Sequence, residues 1–562
     1  MKISQHVIIP SGNITVEGEL RERIERNFFR MQDEPFRAGK AGINECRSPG
    51  WPGDWEGRAL LASVLDGESL KKKSPTIDAL TGWIYSLMND EGYRSEPGDK
   101  LNLNDINEQM HSAQNWLMRA FMEYYRVTGK TEYLETVKTI LEKLYLPIKP
   151  HLKNYPRTAE DRKTAYDSAV VGHTIGRFRE WRLSSDVGCL FMCFDALGQA
   201  YGLIEEEPLH GQIGGLIDDM LGEFRRMDYV GARLQTHASL TCMRGIMRVY
   251  KITGRPDLLE TVKHFFSDYI RYGMTATYEN INLFLGADHT EPCGIIDSYM
   301  LAMQLWEETD DVYYLGTAQR IWWNGVMRTQ RKNGGFGCDW TGRDGILRPL
   351  DAFYEAYWCC SMRGAEGLGY PVRHALYTDE RGYVFTLPHF FDFTAELNGA
   401  TVRFRTGYPV KGVVSAEVLK GGGGSVQFRF YLPDHARNPA VRENGWFIDS
   451  KAGNGFTEFD AELDEGNVYE YTFDISLHEE DCGYLWHGED EMTVMYGDLV
   501  LGTSSEFDGS PDISHFVPLG EGRFICDGWT FGPFYRSSFV REKADDLKVS
   551  YRVVFKKQPK NG

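Results

Sequence analysis

VTGKTEYLETVK, residues Val127 to Lys138, returns later in the chain as ITGRPDLLETVK, residues Ile252 to Lys263. Each copy follows a segment with apolar residues at three- and four-residue spacing, as in HSAQNWLMRAFMEYYR, and a Thr-Gly pair ends that segment. Glycine directly after a periodic apolar segment is typical of a helix C-terminus. Leu-Glu-Thr-Val-Lys then belongs to a second helical segment. Each copy therefore predicts a helical hairpin, and the repeat indicates that this unit is used more than once.

Further hairpins can be placed up to about residue 372, again from apolar spacing and turn residues. They are WEGRALLASVLDGESL with IDALTGWIYSLMN, DVGCLFMCFDALGQAYGL with IGGLIDDMLGEFRRM, and CGIIDSYMLAMQLWEET with VYYLGTAQRIWWNGVM. Solenoid repeats are shorter and more uniform than these units. The helical half therefore predicts a closed α/α toroid, a fold that often has a cleft on its axis.

From about residue 373 the apolar period changes to two, with clusters of Gly, Asn and Asp between the segments. Examples are YVFTLPHFF, ATVRFRTGYPV, SVQFRFYLP, VYEYTFDISL and LKVSYRVVFKK. This pattern predicts an antiparallel β-sandwich region over residues 373–562, with room for two small sandwiches. The segment VIIPSGNITVEGEL within residues 1–20 can add a strand to it. The predicted barrel domain is then residues 21–372.

Composition limits the partners of the 562-residue chain, which is 42% hydrophobic, 25% charged and 13% aromatic. This length predicts two or three domains. The formal net charge of −19 argues against nucleic acid and anionic membranes, which need basic surfaces. The sequence has no apolar run long enough to span a membrane. The apolar stretch in its first residues, MKISQHVIIPSG, is too short to act as a signal peptide. We therefore expect a cytoplasmic protein with a small neutral ligand.

Two cysteines stand side by side in YWCCSMRG, residues 357–364. Adjacent cysteines are poor partners for a structural disulfide, because bridging them strains the backbone and closes almost no loop. In a cytoplasmic chain, ten cysteines are more typical of thiols or metal ligands than of a disulfide framework. Cys359 and Cys360 are thus inert packing, a redox switch, or thiolates held by another group.

Glu291 and Cys293, in GADHTEPCGIID, complete a possible donor set with Cys359 and Cys360. One oxygen and three sulfurs form a soft tetrahedral set that suits Zn²⁺. Other thiols compete for the role. Packing is the favoured interpretation for Cys189 and Cys193 at helical spacing and for the single thiols Cys242, Cys482 and Cys526, whereas Cys46 and Cys338 stay open.

The sequence resembles glycoside hydrolase family 127, the β-L-arabinofuranosidases and their relatives. The resemblance lies in EPC (Glu291 to Cys293) opening a helix, in the following helix that ends with RIWWNGVM, and in the Cys-Cys pair. THASLTCMRGIMRVYKITG, around His237, is similar to the family helix that bears a substrate-contacting histidine. TGYPVKGVVSAEV, FRFYLPDHARN and MTVMYGDLVLGT are similar to its β-sandwich segments, so the resemblance covers most of the chain.

The resemblance implies an (α/α)6 barrel that carries the active site, followed by an antiparallel β-sandwich. It implies Zn²⁺ bound by Glu291, Cys293, Cys359 and Cys360, with Cys359 as the nucleophile. The family's acid/base glutamate precedes the Glu-x-Cys element, and here Glu279, in TATYENINLF, is the nearest candidate, at a shorter interval. His237 and Trp358 are the predicted substrate contacts. Asn115 and Trp116 occupy a region where the family has a sugar-gripping histidine, so the identity of the sugar stays open.

The predicted chemistry is retaining hydrolysis, in which a nucleophile and a proton donor flank the anomeric carbon. A cysteine, with an ordinary pKa of about 8.5, becomes a thiolate when it binds zinc. The sequence therefore predicts an exo-glycosidase that releases a terminal sugar, most simply β-L-arabinofuranose, from an oligosaccharide or glycoside. The alternatives are a sugar epimerase or lyase on the same fold, or a sugar-binding protein with structural zinc. A homodimer is left open.

Overall fold

The computed structural model describes residues 6–40, 51–162, 172–286, 289–341, 343–350, 354–422, 424–482, 485–540 and 550–558. Its α-helices are α1 Gly18–Arg30, α2 Asp54–Leu70, α3 Ile77–Ser86, α4 Glu108–Thr128, α5 Thr131–Ile140, α6 Ala159–Arg162, α7 Phe194–Leu203, α8 Leu209–Phe224, α9 Thr236–Thr253, α10 Pro256–Tyr272, α11 Pro292–Thr309, α12 Val312–Ile321, α13 Met327–Thr329 and α14 Cys360–Arg373. Short 3₁₀ segments are Ser11–Asn13, Glu34–Phe36, Leu146–Asn154, Cys189–Cys193 and Ile513–His515, and π-helical turns are Leu141–Tyr145 and Trp322–Val326.

The long helices alternate between an outer and an inner ring. The inner helices contact one another in a closed circle, in the order α2, α4, α7, α9, α11, α14 and back to α2. An outer helix packs beside each of them, and these are α1, α3, α5, α8, α10 and α12. Inner helices are buried on almost all sides, whereas outer helices bury one face. The predicted (α/α)6 barrel is thus confirmed. None of the helices in the described ranges is long and apolar enough to cross a membrane.

The repeated Thr-Gly pairs end two inner helices, as predicted. Gly129 follows α4 with φ 69°, and Gly254 follows α9 with φ 65°. Glycine adopts this left-handed conformation without a steric penalty, and it lets the chain turn back at once into an outer helix. In the two returning helices the equivalent side chains of Val137 and Val262 are fully buried. The repeat therefore encodes an inner helix, a turn and an outer helix.

The strands are β1 Val7–Ile8, β2 Ile14–Val16, β3 Ile106–Asn107, β4 Thr174–Phe178, β5 Trp181–Ser184, β6 Asp339–Trp340, β7 Ile346–Pro349, β8 Tyr377–Thr378, β9 Val384–Leu387, β10 Phe393–Leu397, β11 Ala400–Thr406, β12 Val413–Lys420, β13 Ser425–Tyr431, β14 Arg437–Glu443, β15 Trp446–Phe447, β16 Lys451–Gly453, β17 Phe456–Glu462, β18 Val468–Asp474, β19 Leu477–Asp481, β20 Glu491–Tyr496, β21 Leu499–Ser504, β22 Val517–Gly520, β23 Arg523–Cys526, β24 Trp529–Pro533, β25 Tyr551–Arg552 and β26 Phe555–Lys556.

Two of the sheets form the predicted sandwich. One has the order β1-β8-β9-β13-β17-β16, and the other has the order β15-β14-β18-β12-β11-β10-β2. Pairing is antiparallel except between β9 and β13, which run parallel. Aromatic rings from both sheets meet between them, with the Phe404 ring centroid 6.0 Å from that of Phe428 and the Tyr471 centroid 5.9 Å from that of Phe430. These contacts form the sandwich core, since alternate residues of each strand face inward.

A third sheet joins the end of the chain to the barrel. Its strand order is β22-β23-β24-β21-β25-β7-β6, with β19, β20 and β26 attached to it. β6 and β7 come from the loop between α13 and α14, and β25 pairs with β7 through Tyr551 and Leu347. At the other end of the chain, β1 pairs with β8 and β2 pairs with β10. Division of the chain at residues 20 and 372 stays a prediction.

Candidate active site

The predicted donor residues lie where two neighbouring inner helices begin. α11 begins at Pro292, so Glu291 is its extended N-cap residue and Cys293 lies in its first turn. α14 begins at Cys360, and Cys359 is its N-cap residue. Because α11 and α14 contact each other in the inner ring, their first residues come together at one end of the barrel.

Four donor atoms converge there. One side-chain atom each from Glu291, Cys293, Cys359 and Cys360 lies within 4.8 Å of all the others. The Cys360 Sγ is 3.4 Å from the Sγ atoms of both Cys293 and Cys359. A tetrahedral zinc ion with Zn–S bonds of about 2.3 Å holds its sulfurs about 3.8 Å apart. The spacing and the donor types therefore fit one zinc ion.

The charge state of the thiols depends on a cation. Burial raises the pKa of Cys293 and of Cys360 well above the ordinary range, and the neighbouring donors add to the effect. Without a cation these two thiols are therefore neutral at physiological pH, and a bound metal ion deprotonates them. Such a buried group of thiols and a carboxylate suits metal binding better than it suits packing.

Cys338 is the one additional thiol, among those described, that faces this site. It lies beside Cys360, whose sulfur lowers the pKa of the Cys338 thiol, although burial and the charges of Cys359 and Glu291 together outweigh this and leave that pKa raised. It lines the same cavity as Glu291 and Cys359, but its sulfur is outside the set of atoms within 4.8 Å. Cys189 and Cys193 are buried at the start of the α7 region and take no part in the cluster. Cys46 lies outside the described residues.

A small cavity borders the thiols. Its volume is about 20 Å³, enough for a single water molecule or ion. Trp358 and Cys359 are both on its wall, so the predicted substrate contact Trp358 lies next to the predicted nucleophile. The remaining lining residues are Asn282, His289, Glu291, Cys338, Ala356 and Cys360.

His237 lies behind Glu291, at the start of α9, and does not line the cavity. Its Nδ1 is 3.2 Å from Glu291 Oε1, and its Nε2 is 3.4 Å from Asp297 Oδ2. The other carboxylate oxygen of Glu291 accepts a hydrogen bond of 3.2 Å from Gln235 Nε2. Arg244 Nη1 in turn holds Asp297 at 2.7 Å. In this position His237 orients a metal-ligand candidate, and its predicted contact with a sugar stays a prediction.

Glu279 is fully buried, and its carboxyl group forms a pair with that of Asp339. Its Oε2 accepts a hydrogen bond of 3.0 Å from Thr277, and its carboxyl group faces Asp339. Burial and the negative charge of Asp339 raise the pKa of Glu279 well above its usual range, although Arg328 opposes this. This shift favours the protonated form, which an acid catalyst requires. Glu279 does not line the cavity beside Cys359, so its catalytic role stays a prediction.

Arg58 is a site residue that the sequence analysis missed. Its Nη1 lies 4.0 Å from Cys293 Sγ, and its Nε donates a hydrogen bond of 2.9 Å to Asp54. The guanidinium carbon is 3.6 Å from the ring centroid of Trp116. The available signal was the Asp-x-x-x-Arg spacing at the start of α2. That spacing predicts a helical ion pair but does not indicate which helix it faces.

Comparison with known proteins supports the fold. No family model matches the sequence, and no curated protein matches it. A solved GH127 β-arabinofuranosidase superposes with a TM-score of 0.70 and 13% identity, covering 99% of both chains. A structure described as a glycoside hydrolase gives 0.67 and 13%, covering 99% of this chain and 98% of the other. A GH127 β-L-arabinofuranosidase from Geobacillus stearothermophilus T6 gives 0.63 and 15%, covering 97% and 100%. The chain therefore has, over nearly its whole length, the fold of solved structures from glycoside hydrolase family 127.

Proposed function

We propose that the protein is a zinc-dependent retaining exo-glycosidase with Cys359 as nucleophile, releasing a terminal sugar, most simply β-L-arabinofuranose. The observation that carries this proposal is the cluster of one carboxylate and three thiols within 4.8 Å. It lies at the end of a barrel whose fold is also that of β-arabinofuranosidases. The proposed substrate is an oligosaccharide or small glycoside.

Glu291, Cys293, Cys359 and Cys360 would hold the zinc ion. When bound, zinc would keep the Cys359 sulfur as a thiolate and stabilise it again when it leaves the sugar. Burial separates the roles of the three thiols. Cys359 is 7% exposed and borders the cavity, whereas Cys293 is fully buried, as is Cys360. Cys359 is therefore the most exposed of the three thiols, as a nucleophile would need to be.

Glu279 is the proposed acid/base. In the first step the Cys359 sulfur would attack the anomeric carbon, and the glycosidic bond would break as the leaving oxygen takes the proton of Glu279. In the second step the ionised Glu279 would take a proton from water, which displaces the sulfur. Support comes from its raised pKa and from its neighbour Asn280, whose Oδ1 accepts a hydrogen bond of 2.9 Å from the Glu291 backbone.

A second candidate function is sugar binding with a purely structural zinc ion. Closed sites with four protein ligands are usually structural, and the cavity beside Cys359 is small. In that case the protein would bind a sugar and release no aglycone. A sugar epimerase would also release no aglycone, so one experiment separates both alternatives from the glycosidase.

The test combines metal content with stereochemistry. We expect about one zinc per chain by elemental analysis of the full-length protein, as for a mononuclear site. On a panel of aryl glycosides we expect release of the aglycone, with NMR showing that the first-formed sugar keeps its anomeric configuration. Peptide mass spectrometry of a trapped reaction should locate the sugar on Cys359. Zinc without turnover across the panel would favour the structural site, and inversion of configuration would exclude the thiolate nucleophile.

A further inference from the structure

Arg58 brings a fixed positive charge to the buried thiols. The side chain comes from α2, which contacts α14 on the side away from α11. It is almost fully buried. Its Nη1 faces the Cys293 sulfur at 4.0 Å, while its Nε is bound to Asp54 at 2.9 Å. Trp116 lies flat beneath the guanidinium group at 3.6 Å. Three separate contacts therefore fix the direction of this charge.

The proposed metal site needs such a charge. Three thiolates and one carboxylate around a divalent zinc ion leave two excess negative charges. Excess charge is costly in a buried site, where little water screens it, unless an opposite charge lies close by. Arginine stays protonated in proteins, so Arg58 supplies this charge at any physiological pH.

Two other buried arginines near the cluster, Arg244 and Arg331, form hydrogen bonds and ion pairs with oxygen atoms. Arg244 is bound to Asp297 at 2.7 Å and to Glu366 at 2.9 Å. Arg331 donates to the Cys338 carbonyl and to Asp339, both at 3.0 Å. Arg58, in contrast, pairs with one carboxylate in the described part of the chain, that of Asp54, and its Nη1 faces the Cys293 thiol.

We propose that Arg58 is a positioning residue that balances the negative charge of the thiol cluster, so that the metal ion is held by three thiolates. This inference rests on the metal site of the proposed function. Asp54 and Trp116 hold the guanidinium group in place, and Asp54 partly offsets its charge. Removing the charge of Arg58 should weaken metal binding, whereas removing the charge of Asp54, with its acceptor oxygen kept, should not, and a mere packing role would not produce this difference.

The test measures zinc affinity of the full-length protein by competition with a chromophoric chelator. Arg58→Met keeps the volume over Trp116 but removes the charge, and we expect zinc binding about 10- to 100-fold weaker. Arg58→Lys keeps a positive charge and should stay close to the wild-type affinity. Asp54→Asn should bind zinc as tightly as the wild type or more tightly. Arg162→Met is the matched control, because Arg162 is a buried arginine bound to Glu108 at the start of α4, and it should leave zinc affinity unchanged.

The double variant Asp54→Asn with Arg58→Met guards against misfolding, since it leaves no unpaired charge at this position. Circular dichroism should show a native fold, and zinc binding should be weaker than in the wild type but no weaker than in Arg58→Met. Equal zinc affinity in wild type and Arg58→Met would overturn the inference alone. An equal loss in Asp54→Asn and Arg58→Met would also overturn it, because it would indicate packing. A wild-type protein that binds no zinc would overturn this inference and the proposed function together.

Discussion

The two ends of the barrel contrast in both cavity size and chemistry. Where α11 and α14 begin, four donor atoms crowd beside a cavity of about 20 Å³. Where α2 and α4 end, a cavity of about 610 Å³ is lined by Val64, Ile77, Tyr124 and the lysines 71–73. In the described part of the chain, that larger cavity has no cluster of metal-binding groups. Cavity volume is therefore a poor guide to the chemistry in this molecule.

Helix direction explains the contrast. The first turn of a helix has free backbone N–H groups and a partial positive charge, which favours thiolates and carboxylates. The last turn has free carbonyl groups and favours cations. Glu291 and Cys359 are N-cap residues, whereas Lys71 to Lys73 directly follow the last residue of α2. We therefore expect substitutions at the first end to change the chemistry and substitutions at the other end to change only the stability.

The strongest challenge to this contrast is Cys359→Ser. A serine hydroxyl is not ionised at neutral pH and is a poor replacement for a thiolate, so turnover of aryl glycosides should fall by at least about 1,000-fold. The initial rate at saturating substrate measures the effect. Cys242→Ser is the matched control, because Cys242 is a fully buried thiol of α9 outside the cluster, and it should keep its activity. Substantial activity in Cys359→Ser would refute the nucleophile assignment.

Glu279→Gln tests whether a residue that does not line the cavity beside Cys359 also takes part in the reaction. If Glu279 donates the proton to the leaving group, turnover of alkyl glycosides should fall by about 100- to 10,000-fold. Aryl glycosides whose leaving group needs no proton should lose much less. Comparing kcat for the two substrate types checks this. Equal activity of Glu279→Gln and wild type on alkyl glycosides would leave Glu279 and Asp339 as a structural pair.

Glu307→Gln probes the other end, near the last turn of α11. Glu307 is bound to Lys251 at 2.5 Å and to Tyr377 at 2.6 Å. Burial acts to raise the pKa of Glu307, but Lys251 and His374 outweigh it and hold that pKa well below the usual range. Because the change takes away the nearer carboxylate of Lys251 and leaves only that of Glu308, at 3.6 Å, the free energy of unfolding should fall by about 3 kcal/mol.

Urea denaturation of Glu307→Gln measures that loss, and zinc affinity and turnover should stay at wild-type values. Glu260→Gln is the control, since Glu260 forms an exposed pair with Lys263 and should change stability by less than about 1 kcal/mol. A large loss of zinc affinity in Glu307→Gln would contradict the separation of the two ends.

The smallest expected effect concerns His389, between the barrel and the sandwich. Its Nδ1 accepts a hydrogen bond of 3.0 Å from Gln319, and burial lowers its pKa to about 3. In the unfolded chain the histidine pKa is about 6.5. Below that pH the unfolded chain binds a proton at His389, whereas the folded protein does not. The contribution of His389 to the free energy of unfolding is therefore fully present above about pH 6.5. It falls by about 1.4 kcal/mol for each pH unit below that value.

His389→Gln should reduce this dependence on pH, because glutamine does not titrate. The free energy of unfolding is measured at about pH 7.5 and at about pH 5.5. Between these two values it should fall by about 1.4 kcal/mol more in the wild type than in the variant. Turnover at neutral pH should be similar in both. An equal dependence on pH would indicate that His389 has the same pKa in the folded protein as in the unfolded chain.

Local signals in the sequence predicted most of the architecture. The Thr-Gly turns work because Gly129 and Gly254 need positive φ, a requirement that only the backbone imposes. Period-two segments predicted the sandwich because alternate residues face its core. The Glu-x-Cys element and the Cys-Cys pair do converge, since both stand at starts of adjacent inner helices.

Features that depend on distant contacts escaped prediction. The approach of Arg58 to Cys293 depends on how two helices pack, and neither segment carries a signal for the other. The same holds for the pairing of β7 with β25 across the chain. His237 belongs to a recognisable helix, yet only the three-dimensional structure places it behind Glu291.

The pairing of β7 with β25 matters to anyone who would shorten this protein. The loop between α13 and α14 carries Cys338 and Asp339, and its strand β7 pairs on one side with β6 and on the other with β25. Arg331, which clamps that loop, also reaches Ser538 at 3.0 Å. A truncated barrel without Ser538 and β25 would keep all four donor residues but lose the contacts that brace the loop beside them.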